Sequence, residues 1–326
     1  MTDTRTALIL ADLEGITNIY DMEDMDRCQA CYQEELRVYI QALLQSGVTN
    51  IYLCDAHDQG NLLLTLPEEF RDVNLQVIST VANIDFSLHY DFAFLVGFHG
   101  MNGSCGILPH SLRFNFQQIA IYSEKLSSYL PIGEVEIYLR WLGAKGIPVL
   151  LVAGDREAVY EGNCFNPYRA VCCIKSLFER EQADREETFQ KIRSFVGLAL
   201  QLKPEACLSY DSDPIYLTFT HEDLLDTLCK AGYPCKDAQL VYDSCTALVE
   251  DLYPLVERLM EFDKSVIAVN RSFLKELRSI SSSLDRTALD QSEIGSLLNR
   301  HNLYSLNQQA RDEIRAYLKS LGFTLS

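Results

Sequence analysis

The feature that most constrains the fold is a strand–helix–strand pattern within the first 55 residues. Residues 8–11 form a short apolar run that is typical of a buried strand. Apolar residues at helical spacing follow over 36–44, and a second apolar run occupies 50–54. Strands joined through a helical crossover pair in parallel. This segment therefore predicts an α/β protein built on a parallel sheet.

Later apolar runs extend the same sheet and set the expected organisation of the chain. Residues 92–96 and 148–153 are typical of further buried strands. The pattern predicts an α/β fold with a doubly wound, mostly parallel sheet, a smaller α+β subdomain and a C-terminal helical extension. The expected boundaries are 1–165 for the α/β domain, 166–263 for the subdomain and 264–326 for the extension.

Charge and composition exclude several classes of function. The 326 residues carry a formal net charge of −18, which argues against nucleic-acid binding and against adhesion to anionic membranes. Apolar runs do not approach the ~20 residues that span a bilayer. The first residues lack a signal-peptide pattern, so we expect a cytoplasmic protein. The 11 cysteines are odd in number, and we expect reduced thiols and not a disulfide framework.

Polar residues cluster where the predicted parallel strands end. Asp12 and Glu14 are two residues apart, so an extended backbone points both carboxylates to one face. His57 and His99 follow two other strands, and Glu134 begins a helix. Because ligands of open parallel sheets bind beyond the carboxyl ends of the strands, we expect these groups to converge in one cleft.

This convergent set predicts a metal centre. A mixture of imidazole and carboxylate suits zinc, and also manganese or iron. Five candidate ligands exceed what one tetrahedral zinc takes when water is also bound, so two ions that share a carboxylate explain the surplus. Asp12, nearest its strand end, is the expected bridge. The candidate ligands are Asp12, Glu14, His57, His99 and Glu134.

The remaining polar groups near these strand ends have less specific interpretations. His110 is left to act on substrate or to transfer protons, as the pKa of an imidazole allows. Asp155 either caps the following helix or supports the site, and Asp55 either orients His57 or caps a turn. The sequence contains no phosphate-binding glycine motif and no G-x-S-x-G elbow. We treat the other histidines as structural: His89, His221 and His301.

Six short motifs, in order, resemble the zinc-dependent D-aminopeptidase family of the DppA type. The resemblance covers about residues 6–262, and the distance from His99 to His110 also agrees. The motifs are Asp12-Leu13-Glu14-Gly15-Ile16, Asp55-Ala56-His57, Gly97-Phe98-His99, His110-Ser111, Gly133-Glu134 and Val152-Ala153-Gly154-Asp155.

The resemblance implies more than the residues alone can indicate. It implies two zinc ions per chain, held by the five candidate ligands, and His110 as the catalytic histidine. It also implies a ring-like homo-oligomer and short peptide or amide substrates with a small N-terminal D-residue such as D-alanine. The chain departs from the family pattern at Asn18, where glycine is frequent, in a longer segment from His110 to Glu134, and in the extension from about Lys264.

Three functions are therefore considered. The first is a dinuclear zinc aminopeptidase, in which a metal-activated water cleaves the amide bond and His110 acts as an acid/base or nucleophile. The alternative is a specialised amide hydrolase or amide-processing enzyme of a biosynthetic pathway that uses the same metal site. A non-enzymatic metal-binding protein is the least favoured, because every matched ligand and the catalytic histidine are present.

Overall fold

The computed structural model describes residues 5–22, 24–57, 70, 73–113, 115–176, 184–220 and 222–262. The expected extension from 264 to 326 lies outside these residues. Residues 252–262 are helical. The described strands are β1 (Thr6–Ala11), β2 (Asn50–Asp55), β3 (Asn74–Ile78), β4 (Phe92–Phe98), β5 (Phe116–Ser123), β6 (Ser128–Pro131), β7 (Val149–Asp155), β8 (Ala170–Lys175), β9 (Ile215–Phe219), β10 (Cys235–Lys236) and β11 (Gln239–Tyr242). The described helices are α1 (Met25–Gln45), α2 (Glu134–Ala144), α3 (Arg156–Cys164), α4 (Arg185–Ala199), α5 (Glu222–Lys230) and α6 (Cys245–Glu250).

The main sheet has six parallel strands in the order β3-β2-β1-β4-β7-β8. The chain moves outward from β1 to β3 and then returns to add β4, β7 and β8 on the other side of β1. The strand order therefore reverses between β1 and β4, where their carboxyl ends leave a crevice. The prediction of a doubly wound, mostly parallel sheet is confirmed.

Helices cover both faces of this sheet. Ile9 of β1 lies in one buried cluster with Tyr39 of α1 and Ile192 of α4. Neighbouring strand residues point to the opposite face, where the rings of Phe98 and Tyr138 on α2 meet edge to face at 5.8 Å. Burial on both faces explains why the central strands are continuous apolar runs and do not alternate with polar residues.

The chain divides into two compact units. The first contains Met1–Leu217 and Val241–Tyr253, and the second contains Thr218–Leu240 and Pro254–Ser326. In the first unit β5 pairs antiparallel with β6, and in the second β10 pairs antiparallel with Gln239 and Leu240, the first two residues of β11. The domain boundaries at 165 and 263 remain predictions.

The structure differs from the sequence expectation at one pair of cysteines. Cys229 at the end of α5 and Cys235 in β10 form a disulfide that closes a six-residue separation. Local closure needs only a tight turn between the two elements, and spacing alone does not reveal that turn. The other nine cysteines are free thiols, as expected. Among the helices of the described residues, none has the length and apolar character required to cross a membrane.

Candidate metal centre

The crevice between β1 and β4 brings the predicted site residues together. Asp12 follows β1 directly and is hydrogen-bonded through its amide to the carbonyl of Val96 in β4 (2.9 Å). His99 follows β4, and His57 follows β2 on the other side of β1. Glu134 is the first residue of α2. The sheet topology therefore explains why residues far apart in sequence share one cleft.

The two oxygens of Asp12 face two different histidines. Oδ1 lies 3.4 Å from Nδ1 of His57, and Oδ2 lies 3.5 Å from Nε2 of His99. Glu14 Oε2 completes the first group at 3.1 Å from His57 Nδ1. Glu134 Oε1 completes the second group at 3.4 Å from His99 Nε2. The result is two triads of possible metal ligands that share Asp12, and Glu14, His99 and His110 form a third. In each triad the ligand atoms lie within 4.8 Å of one another.

Backbone carbonyls determine which ring nitrogen of His99 and of His110 faces the cleft. Nδ1 of His99 lies 3.0 Å from the carbonyl oxygen of Gly100, and Nδ1 of His110 lies 3.0 Å from that of Leu108. A carbonyl oxygen only accepts, so each Nδ1 carries the proton and donates. Each Nε2 is thereby directed into the site, and that of His110 lies 3.8 Å from Oε1 of Glu14.

The rings of His99 and His110 stack at a centroid distance of 4.1 Å and an angle of 10°. Both residues flanking the Pro109–Ser111 segment, Leu108 and Leu112, have left-handed backbones with φ of 50° and 58°. This conformation turns the Leu112 amide toward Oε1 of Glu134, to which it donates at 2.8 Å. Strained backbone of this kind is frequent at functional sites and costs on the order of 1–3 kcal/mol per residue.

The buried carboxylates give the site an unbalanced negative charge. Burial lowers the pKa of His57, but its hydrogen bonds to Asp12 and Glu14 outweigh that effect and raise the pKa to about 11. Burial likewise opposes the charge on His99, yet the hydrogen bond to Glu134 and the charge of Asp12 hold the His99 pKa well above its ordinary value. The site therefore retains cations, which are protons on the two imidazoles when no metal is bound.

The donor set fits a divalent metal. Asp12 is 3 % exposed, and its Oδ2 accepts no hydrogen bond from the part of the chain that the structure describes. A buried carboxylate oxygen without a hydrogen-bond donor is costly unless a cation approaches it. The two triads that share Asp12 supply three carboxylates and two imidazoles, and this mixture of donors matches the chemistry of zinc.

Two glycines let the strand ends approach closely enough to form this site. A Cβ on Gly15 would lie 1.9 Å from the carbonyl oxygen of Phe98, and one on Gly97 would lie 2.0 Å from that of Asp12. The Gly15 amide donates to the Gly97 carbonyl at 2.7 Å. Gly15 therefore serves close packing of two backbones, whereas the sequence suggested only a sharp turn.

The loop after Glu14 is held by buried charges. Lys175, 2 % exposed, donates through Nζ to the carbonyls of Ile16 (2.8 Å) and Ile19. Burial lowers the pKa of this lysine to about 8. Glu35 of α1 accepts from the amide and hydroxyl of Thr17 at 2.7 and 2.5 Å.

Sequence reasoning missed Glu35, although a signal was present. Glu35 lies between Tyr32 and Tyr39 on the apolar face of α1, where a charged residue requires a buried partner. In the same loop Asn18 has a left-handed backbone with φ of 63°. Asn tolerates that conformation better than most residues, which explains how it stands where glycine is frequent.

Asp155 combines the two roles that the sequence left open. Its Oδ1 accepts from the amide of Ala158 (2.8 Å) and so caps α3. Its Oδ2 accepts from the amides of Gly100 (3.2 Å) and Ile107 (2.9 Å), which lie in the loop between His99 and His110. Asp55 accepts from the backbone amide of His57 at 3.1 Å.

The other histidines stay apart from this centre as far as they are described. His89 is exposed and lies 3.3 Å from Asp91. His221 and His301 lie outside the described residues. The fold and the two triads together define a doubly wound α/β protein with a candidate metal centre at its switch point.

Comparison with known proteins identifies the family. The family model described as D-aminopeptidase matches residues 6–224. The chain therefore belongs to the D-aminopeptidase family, as its motifs predicted.

Two relatives indicate how far the similarity extends. A D-aminopeptidase of Bacillus subtilis (strain 168) is 26% identical over 180 residues, or 52% of this chain. The chain spans only 63% of the length of that relative. The solved structure described as Zn-dependent D-aminopeptidase DppA from Bacillus subtilis, a self-compartmentalizing protease, matches with a TM-score of 0.65 at 19% identity. That match covers 78% of this chain and 98% of the DppA chain, and it shows a shared fold.

Proposed function

We propose that this chain is a zinc-dependent hydrolase with two zinc ions per chain, which releases a small D-amino acid from the N-terminus of short peptides or amides. The observation that carries the proposal is the carboxylate of Asp12, whose two oxygens face two separate triads. Membership of the D-aminopeptidase family supports the substrate class. In this proposal Asp12, Glu14 and His57 hold one ion, and Asp12, His99 and Glu134 hold the other.

Bound zinc would polarise the amide carbonyl and lower the pKa of a water molecule. The chain's own contribution to proton transfer falls to His110. Its Nδ1–H is held by the Leu108 carbonyl, so Nε2 is the nitrogen that takes and returns a proton. Glu14 Oε1, at 3.8 Å, stabilises the protonated ring. Stacking on His99 keeps the ring plane fixed during this exchange.

The setting of the enzyme is part of the proposal. The solved relative is described as self-compartmentalizing, which supports a ring-like homo-oligomer for this chain. Nine of the eleven cysteines are free against one local disulfide, Cys229–Cys235; this majority supports a reducing compartment, and we propose the cytoplasm.

The first experiment measures zinc by elemental analysis and hydrolysis of D-Ala-para-nitroanilide on the same purified sample. We expect near two zincs per chain with turnover. His110→Ala should keep both zincs and lose on the order of 10²–10⁴ in kcat, because general acid–base catalysis is removed. Asp12→Ala should lose metal at both positions, and exposed His89→Ala is the matched control with parental zinc and activity.

Each result has a defined meaning. An absence of zinc, with none taken up on addition, would overturn the metal site. Two zincs retained in Asp12→Ala would overturn its bridging role, and full activity in His110→Ala would remove that residue from the mechanism. A panel of D- and L-aminoacyl amides distinguishes the two candidate functions. A general aminopeptidase hydrolyses members of the panel, whereas a specialised amide hydrolase binds zinc but hydrolyses none of them.

A further inference from the structure

The helix that carries Glu134 begins without a cap of its own. The residue before α2 is Gly133, whose lack of a side chain leaves the first amides of the helix without a local acceptor. Glu161 of α3 supplies the acceptor from 28 residues away. Its Oε1 accepts from the amide of Gly133 at 2.7 Å and from that of Glu136 at 2.9 Å.

These two hydrogen bonds bracket the site residue. Glu134 lies between the two anchored amides, and its Oε1 lies 3.4 Å from Nε2 of His99. The position of the Glu134 backbone therefore depends on where Glu161 holds the start of α2. The glycine at position 133 leaves room for the Glu161 side chain, because a Cβ there would lie 2.5 Å from Oε2 of Glu161.

Burying the carboxyl group of Glu161 to cap α2 is energetically unfavourable. Glu161 is 4 % exposed, and its Oε2 has no hydrogen-bond partner within the described ranges. Burial raises the pKa of this carboxyl to about 8, and the nearby Glu136 and Glu134 add to the rise. Capping α2 for stability alone needs only Ser, Thr, Asn or Asp at position 133. The arrangement instead uses a buried carboxyl group from another helix.

We propose that Glu161 is a positioning residue, which sets Glu134 toward His99 and so tunes one of the two metal positions selectively. The inference rests on the proposed function, because it assumes that the triad of Asp12, His99 and Glu134 holds an ion. Glu161 touches none of the five proposed ligands through its own hydrogen bonds. Its hydrogen bonds act on the backbone on either side of Glu134.

The test is a zinc titration of the purified full chain against a competing chromophoric chelator. In Glu161→Ala we expect one zinc to bind about 10- to 100-fold more weakly, the range for loss of a residue that supports a metal ligand. The second zinc should stay within about threefold of the parent. Glu161→Gln keeps an amide oxygen in the place of Oε1 and should restore tight binding of both ions.

The matched control is Asp184→Ala, which removes the cap of α4, where Asp184 accepts from the Glu187 amide at 3.1 Å. It should bind both zincs as the parent does, although its helix also loses a cap. If Glu161→Ala does not fold, Glu161→Asp replaces it. The shorter side chain cannot reach both amides, so one zinc should again be weakened.

Failure of the inference is distinct from failure of the proposed function. A parent that binds no zinc overturns the proposed function. A parent with two tight zincs and a Glu161→Ala variant with the same two affinities overturns the inference alone. Equal weakening of both ions, in Glu161→Ala or in Asp184→Ala, also overturns it, because the effect would then follow helix stability and not the position of Glu134.

Discussion

Replacing Asp155 with Asn isolates the carboxylate that ties the loop before His110 to the end of β7. The native side chain accepts one amide through Oδ1 and two through Oδ2. An Asn side chain has one oxygen, so its NH₂ group must face an amide N–H. Asp155→Asn therefore loses either the cap of α3 or both bonds to the loop.

The expected loss of stability follows from those hydrogen bonds. Losing a cap costs about 0.5–2 kcal/mol, and each amide left unsatisfied in the interior costs about 1–3 kcal/mol. The surviving bonds also weaken, because the acceptor is no longer charged. We expect Asp155→Asn to lower the free energy of unfolding by about 2–4 kcal/mol. Where the bonds to the loop are the ones lost, loosening of the loop that carries His110 should reduce kcat at least tenfold while zinc content stays parental.

The assay is guanidinium unfolding followed by tryptophan fluorescence, since Trp141 is the one tryptophan of the chain and is buried in α2. Asp24→Asn is the matched control. The side chain of Asp24 caps α1 by accepting from the Arg27 amide through Oδ1, and Asn caps a helix about as well as Asp. The reasoning is refuted if Asp155→Asn unfolds at the same denaturant concentration as Asp24→Asn and keeps parental kcat.

Three further predictions concern the loop after Glu14 and the cysteines. Burial lowers the pKa of Lys175 from 10.5 to about 8, so between these pH values the unfolded chain binds more protons and stability rises with pH. From about pH 7 to about pH 9.5 the difference in unfolding free energy between parent and Lys175→Met should shift by about 2 kcal/mol toward the parent, and a constant difference would contradict this. Asn18→Gly should change Tm little, whereas Asn18→Val should destabilise by about 1–2 kcal/mol because φ is 63°. Thiol titration of the denatured, unreduced chain should give nine thiols, and eleven would exclude the Cys229–Cys235 disulfide.

The sequence predicted the sheet and the convergence of polar groups because both depend on local patterns. Apolar runs such as residues 92–96 are buried on both faces, and the residues that follow parallel strands necessarily meet at one edge. Asp12 and His99 were therefore predicted together although 87 residues separate them. The residues alone suggested His110 for proton transfer or contact with substrate, and the resemblance to the family made it the catalytic histidine; this assignment stays a proposal.

The residues that hold the site in place through backbone contacts, such as Glu161 and Lys175, were not predictable in the same way. Glu161 contacts the start of α2 only because α2 and α3 pack beside each other, and the periodicity of neither helix specifies that partner. The same holds for Lys175, whose acceptors are carbonyls more than 150 residues away in sequence. Local propensity also gave no signal for the short strand β6 or for the left-handed backbone of Leu112.

The stacked rings of His99 and His110 also give the site a spectroscopic signature. At a centroid distance of 4.1 Å each ring lies in the shielding cone of the other, which moves its carbon-bound proton resonances upfield. The chain has only six histidines, so the shifted pair stands out in a proton–carbon correlation spectrum. Metal binding through His99 would change its resonances directly and those of His110 through the stack. The occupancy of one metal position can therefore be followed in solution from a neighbouring ring, without a substrate and without a label on the site.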